Sequence, residues 1–251
     1  MAKEKTAYVC TECGYDSPKW AGRCPSCGTW NSMKEQVIRP AVADRRAAPG
    51  FTFEKARPLT LAEIATGEEP RIDMHDEELN RVLGGGLVPG SLILLGGEPG
   101  IGKSTLILQT ILRMPHQRVL YVSGEESARQ LKLRADRIQH SDNNCLIVCE
   151  TSLEKIYAHI KDTQPDIIVI DSIQTISTET AESSPGSIVQ IRECAASLLK
   201  FVKESNIPAI LIGHINKEGS IAGPKILEHI VDCVLQFEGD QHYMYRILRG
   251  I

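Results

Sequence analysis

Two sets of residues in this sequence have the types and spacing that chemistry demands. The first runs Gly97-Glu98-Pro99-Gly100-Ile101-Gly102-Lys103-Ser104-Thr105 and fits the phosphate-binding pattern G-x-x-x-x-G-K-[ST] from Gly97 to Ser104. Gly97, Gly100 and Gly102 carry no side chain to keep backbone N–H groups from curling around phosphate oxygens. A helix beginning near Lys103 adds the positive end of its dipole, so the stretch is an anion cradle. Lys103 is expected to reach the β- and γ-phosphates of ATP. The Ser104 hydroxyl is the expected Mg²⁺ ligand, because that small ion keeps octahedral oxygen coordination, and Thr105 lies near the α-phosphate.

The second set is sulfur. Cys10-x-x-Cys13-Gly14 and Cys24-x-x-Cys27-Gly28 form two knuckles ten residues apart. Each brings two thiolates to one side of a tight turn that glycine lets close, and two such turns give the tetrahedral site that Zn²⁺ favours. Four thiolates leave no open position, so this zinc is expected to be structural. Two disulfides or a redox C-x-x-C are the competing readings, and no βαβ unit surrounds the pairs to support the redox one. Tyr8, Trp20 and Trp30 are expected to pack around the knuckles rather than stack on bases.

Further candidates stand where apolar runs end. Arg118 to Gly124 reads as a strand ending at Glu125 and Glu126, which a hydrolase would use to orient or deprotonate water; the alternative is that both glutamates open the next helix. Asp166 to Asp171 is an apolar strand with an acid at its carboxyl end, where Asp171 is expected to hold Mg²⁺ through its shell and Ser172 to assist. Ala209 to Gly213 ends at His214, placed to sense the γ-phosphate or to serve as a core or capping histidine. Lys217 and Lys225 lie in a glycine-containing loop and meet phosphodiester or stay solvated. The polar segment Ser177 to Ser187 is longer than a connection needs, which suits a loop that moves or binds.

The elements that must position these groups follow from the apolar pattern. Ser91 to Leu95 is a strand into the P-loop, Leu106 to Leu112 a helix out of it, and strand and helix alternate from there to a last strand pair. This is an α/β protein with a central, mostly parallel sheet. Three regions are expected: a zinc ribbon over 1–35, an Ala-, Pro- and Arg-rich linker over 36–58, and an ATPase domain over 59–251. Net charge of −4 is too mild to imply a polyanion-binding surface, although the linker arginines Arg39, Arg45 and Arg46 suit either a solvated tether or a nucleic-acid contact. No apolar run approaches the roughly 20 residues that span a bilayer. With no apolar signal region and core-like scattered cysteines, a reducing cytoplasm is the expected location and no membrane partner is expected.

Together the cysteine knuckles, Leu83 to Ser91, the P-loop, Tyr121-Val122-Ser123-Gly124-Glu125-Glu126-Ser127, Ile170 to Gln174, Ser183 to Ser187 and Lys217 to Lys225 resemble the RecA-like ATPases of bacterial recombinational DNA repair. The resemblance covers nearly the whole chain from Tyr8 to Arg249. It implies a RecA-like P-loop core behind a four-cysteine zinc ribbon, and a DNA-stimulated ATP hydrolase that binds single-stranded and branched DNA and promotes branch migration with RecA. It also implies a hexameric ring whose long loops face a DNA channel, making Lys217 and Lys225 DNA contacts. In that family a Lys-Asn-Arg-Phe-Gly motif and a Lon-like domain follow Leu248-Arg249. This sequence stops at Ile251, so the chain reads as a truncated product. The alternative is then a nucleotide-gated DNA- or RecA-binding fragment with little turnover. A P-loop kinase or clock-type ATPase with a KaiC-like core is a third reading, against which the ribbon and the Lys217 to Lys225 loop argue.

Overall fold

Side chains alternate across a strand, so strands covered by helices on both faces must be apolar at every position. That is the pattern of the main sheet. The computed structural model describes residues 5–10, 15–38, 51, 58, 60–63, 70–138, 144–181, 183–214, 225–239 and 245–251. Three short antiparallel strands form the N-terminal sheet: β1 (Lys5–Cys10), β2 (Asp16–Ser17) and β3 (Met33–Ile38), in the order β2-β1-β3. The larger unit follows as α1 (Glu77–Val82), β4 (Leu92–Gly97), α2 (Lys103–Leu112), β5 (Val119–Ser123), α3 (Ala128–Ile138), β6 (Cys145–Cys149), α4 (Leu153–Thr163), β7 (Ile167–Asp171), α5 (Ile188–Ser205), β8 (Ala209–His214), α6 (Lys225–Glu228), β9 (Cys233–Gly239) and β10 (Arg246–Gly250).

The seven strands lie in the order β10-β9-β4-β8-β7-β5-β6. All pair in parallel except β10, which runs antiparallel to β9. Leu92, Leu94, Leu120, Val122, Ile168, Ile170 and Leu211 face one side, against Ile156, Ile160, Leu198 and Val202 of α4 and α5. Their neighbours Ile93, Leu95, Val119, Tyr121, Ile167, Val169 and Ile212 face the other, against Ile107, Leu108 and Ile111 of α2 and Leu131 of α3. Caps fix where helices begin. Asp76, Ser152 and Ser187 each accept a hydrogen bond from a backbone N–H of the first turn of α1, α4 and α5.

Three features depart from the expected layout. β3 runs through Ile38, inside the stretch read as linker, because the six residues of β1 offer it six partners. Phe51, also in that stretch, packs its ring edge-on against Phe201, with centroids 5.0 Å apart. The polar segment after β7 is tied down rather than loose. Buried Gln190 accepts from the Thr178 N–H and donates to the carbonyls of Thr178, Ala181 and Ser183. Among the described residues no helix is long and apolar enough to cross a membrane.

The packing of Phe51 is testable. Full burial of a phenylalanine is worth about 3–5 kcal/mol on truncation, so the half-buried Phe51→Ala is expected to cost the larger unit about 2 kcal/mol in urea unfolding. An unchanged midpoint would return this residue to the linker.

Candidate functional site

Register brings the site together. Gly97 at the end of β4 lies opposite His214 at the end of β8, Asp171 of β7 lies opposite Ile212 of β8, and Ser123 of β5 lies opposite Asp171. The carboxyl ends of four adjacent strands therefore deliver Gly97, His214, Asp171 and, two residues beyond Ser123, Glu125 to one edge. Open α/β sheets bind ligands outside this edge, where strand order reverses. Here the reversal falls at β4, flanked by β8 and β9.

The loop between β4 and α2 needs its glycines. A Cβ on Gly97 would stand 2.5 Å from the Phe237 carbonyl oxygen, so β9 could not lie this close to any other residue. Gly102 caps α2 with φ of 108°, a conformation that L side chains avoid. Lys103 follows and is only 3% exposed. Its ammonium donates to the carbonyls of Gly97 (2.8 Å) and Glu98 (2.9 Å) and lies 3.4 Å from His214 Nδ1. Burial lowers its pKa below the ordinary lysine value, while the negative charges of Asp171 and Glu125 oppose that fall.

Glu125 completes a relay. Its Oε1 accepts from the Ser172 hydroxyl at 2.5 Å and lies 3.1 Å from His214 Nε2. A lysine ammonium has no lone pair to offer, so neutral His214 must accept at Nδ1 and donate from Nε2–H to Glu125. Burial pushes the Glu125 pKa up, but the hydrogen bonds from Ser172 and His214 and the charge of Lys103 outweigh it, leaving the pKa below the ordinary carboxylate value. Asp171, 6% exposed, accepts at Oδ2 from the Tyr121 hydroxyl at 2.5 Å. Burial and the adjacent carboxylate hold that tyrosine protonated by raising its pKa.

The structure thus gathers Lys103, Glu125, Asp171 and His214, with Ser104 half-buried on the first turn of α2 and Glu98, Pro99, Gly100 and Thr105 exposed along the loop and helix start. Glu126 is placed apart from them. It pairs with Arg134 of α3 at 2.5 Å, and its carbonyl accepts from Ser123 Oγ. Lys217 and Cys13 lie outside the described residues, as does the side chain of Lys225. Two residues were not legible as site components, and a third, Ser172, was legible only as an assistant to Asp171. Tyr121 is the one hydroxyl-bearing ring in an aliphatic strand, and a buried tyrosine needs a partner for its O–H, but only strand order reveals that the partner is Asp171. Ser172 stood next to the Mg²⁺ candidate, yet its contact is Glu125. Arg246 of β10 brings Nη1 to 3.3 Å from where a Cβ on Gly102 would sit, with nothing in its local sequence to show it.

Oxygen donors fit Mg²⁺: a buried carboxylate at Asp171, fixed by Tyr121, and the hydroxyl of Ser104 on the helix that begins the cradle. Sulfur fits zinc in the ribbon. The Sγ atoms of Cys10, Cys24 and Cys27 all lie within 4.8 Å of one another, and those of Cys10 and Cys27 are 3.6 Å apart. Zn–S bonds of about 2.3 Å put tetrahedral sulfurs about 3.8 Å apart, whereas a disulfide holds them at about 2.0 Å. The second knuckle closes through Gly28 N–H to Cys24 O, with Gly28 at φ of 75°. Tyr8 packs on Cys10, Cys24 and Met33 as expected. Trp20 and Trp30 do not pack as expected: they are 59% and 69% exposed, because that small core is already closed by the cysteines, Met33 and Tyr8.

The sheet order, the P-loop and the acids at the strand ends define a P-loop nucleotide-binding protein with a RecA-like core and an N-terminal zinc ribbon. Residues 60–220 match the family described as AAA domain, and residues 8–35 match the rubredoxin metal binding domain. The first match covers more than half of the chain, which belongs to that AAA-domain family. Along its whole length the chain is 50% identical to a Bacillus subtilis protein, and 49% identical to a Listeria monocytogenes protein, both named DNA repair protein RadA. It covers 56% and 55% of them, so it spans about half the length of the curated relatives it matches. Among solved structures, a KaiC-like protein from the archaeon Pyrococcus horikoshii shares the fold, with a TM-score of 0.57 at 22% identity over 71% of this chain and 86% of that one.

The lowered pKa of Glu125 has a defined sign. A carboxylate whose folded pKa lies below its unfolded value near 4.3 contributes stability above that value and loses it as pH falls through the folded one. Between about pH 5 and pH 3, urea unfolding of the native chain is therefore expected to lose more stability than Glu125→Gln. Parallel curves would contradict the hydrogen-bonded, ionised Glu125.

Proposed function

We propose that this chain is an ATP hydrolase acting in DNA repair, and the observation that carries the reading is the contact line from buried Lys103 through His214 to Glu125. On this reading ATP lays its phosphates along residues 97–105. Lys103 exchanges the carbonyls of Gly97 and Glu98 for β- and γ-phosphate oxygens, which are stronger acceptors. Its departure leaves His214 Nδ1 open, so His214 responds to the γ-phosphate and transmits the change to Glu125.

Phosphoryl transfer proceeds through a loose transition state, in which positioning and charge neutralisation matter more than early proton removal. A carboxylate with a lowered pKa suits that task, since it is ionised at neutral pH and holds the attacking water in line. The water's proton passes to Oε2 of Glu125, because Oε1 already accepts from Ser172 and His214. Mg²⁺ bound with the nucleotide would be held by Ser104 and Asp171 and would supply charge neutralisation at the β- and γ-phosphate oxygens. Tyr121 keeps the Asp171 carboxylate turned to its place. Glu126, bound to Arg134, braces the start of α3.

The DNA side of the proposal is supported by the name DNA repair protein that the relatives carry and by the basic residues after β8 in the sequence. Single-stranded and branched DNA are the proposed nucleic-acid partners, with Lys217 and Lys225 as contacts and hydrolysis stimulated by DNA. Branch migration with RecA, assembly into a ring of like chains and a cytoplasmic location complete it. Zinc in the ribbon is structural.

Two variants separate binding from chemistry. Lys103→Ala is expected to abolish ATP binding, measured with a fluorescent ATP analogue. Glu125→Gln is expected to bind ATP within a few-fold of the native chain while hydrolysis falls roughly 10²- to 10³-fold. Full hydrolysis by Glu125→Gln would remove Glu125 from the mechanism.

A further inference from the structure

The two tryptophans of the chain, Trp20 and Trp30, are also the most exposed of the phenylalanine, tyrosine and tryptophan rings among the described residues. They flank the second knuckle of the ribbon. A Cβ on Gly22 would touch Trp20 at 3.5 Å and Trp30 at 3.9 Å, so the two indoles flank one glycine and form a single patch. The backbone holds the patch in shape. Arg23 and Trp30 face each other in an antiparallel bridge, and Asn31 N–H donates to the Gly22 carbonyl. Neither ring is used by the metal or by the small core around Cys10, Cys24 and Met33.

The charges beside the indoles are positive. Lys19 precedes Trp20, and Arg23 sets its guanidinium 5.9 Å from the Trp30 ring centre while its Nε donates to Gly28 O. Lys19 and Arg23 are both exposed, and no acidic residue adjoins either tryptophan in sequence or across the bridge. Rigid aromatic faces interleaved with cations match a base and its phosphate, since every base has a face to stack and a charge to neutralise. We propose that Trp20 and Trp30, with Lys19 and Arg23, form a stacking platform for single-stranded nucleic acid on the zinc ribbon. The platform rests on the reading that the chain works on single-stranded DNA, and adds a second contact area remote in sequence from the loop after β8. The metal-held knuckle gives it its shape, so metal loss removes the platform without touching the P-loop.

Because the chain has only these two tryptophans, its indole fluorescence reports on the patch alone. The full chain is titrated with a short oligothymidylate at low and moderate salt. Indole emission is read for the native chain, and the anisotropy of a labelled copy of the oligonucleotide is read for the native chain and for the indole-free Trp20→Ala/Trp30→Ala double variant. Zinc content and ATP-analogue binding verify that the variant is folded. Stacking predicts quenching that saturates with the anisotropy curve, and affinity reduced about tenfold or more in the double variant, as loss of a base–aromatic stack gives. Anisotropy binding with unchanged emission, and equal affinity in the variant, would overturn the platform while leaving DNA binding elsewhere intact. No binding by the native chain would overturn the platform and the DNA reading together. Indoles shielded from acrylamide before any DNA is added would instead assign the patch to a protein surface, and would also overturn it.

Discussion

A buried ammonium is the constraint on which the larger unit depends. Lysine is almost never fully buried without partners, and Lys103 at 3% exposure obtains them from two carbonyls of the P-loop itself. Those carbonyls hold the loop in the curled form that leaves room for phosphate. Asp171 and Glu125 supply the opposing charge from two other strands. The close approach of β9 to Gly97, the parallel register of β4, β7 and β8, and the positive φ of Gly102 all serve to bring that one nitrogen to the sheet edge. Lys103 is held by contacts that a phosphate can replace, which is what a binding lysine needs.

The ribbon solves a different physical problem. Its described core is three side chains with Tyr8 against them, far too little apolar area to offset the entropy of ordering some thirty residues. Sulfur geometry suited to a metal makes up the difference, and frees the aromatic residues from packing duty. This is why Trp20 and Trp30 stand in solvent on a segment so poor in apolar residues. In the larger unit the economy is reversed: two apolar layers supply the stability, and polar groups are collected where the strands end.

Much of this was legible in the sequence because it depends on short-range patterns. The P-loop, the cysteine knuckles, the apolar strands and the acid at the end of β7 are each contained in about ten residues, and local sterics dictate them. The gathering of Lys103, Glu125, Asp171 and His214 followed from one rule, that ligands meet the carboxyl ends of parallel strands. What escaped depended on strand order. Tyr121 meets Asp171, and Ser172 meets Glu125, because β5 and β7 are neighbours although α3, β6 and α4 separate them in the chain. Arg246 reaches Gly102 only because β10 folds back on β9, which lies beside β4. The tryptophans were misplaced for another reason. Aromatic residues in a small domain were expected to build its core, and that expectation does not hold when metal takes the place of a core.

The central claim is that the γ-phosphate is sensed by taking Lys103 away from His214. Nitrogen-15 NMR of the histidine-labelled chain tests it most directly, with His214→Gln identifying the signal among the seven histidines. Without nucleotide, His214 is expected to be the neutral form protonated at Nε2. A non-hydrolysable ATP analogue with Mg²⁺ is expected to shift its Nδ1 resonance, and ADP to leave it near the free position. An Nδ1 signal that ignores the γ-phosphate, in a chain that demonstrably binds the analogue, would contradict the account.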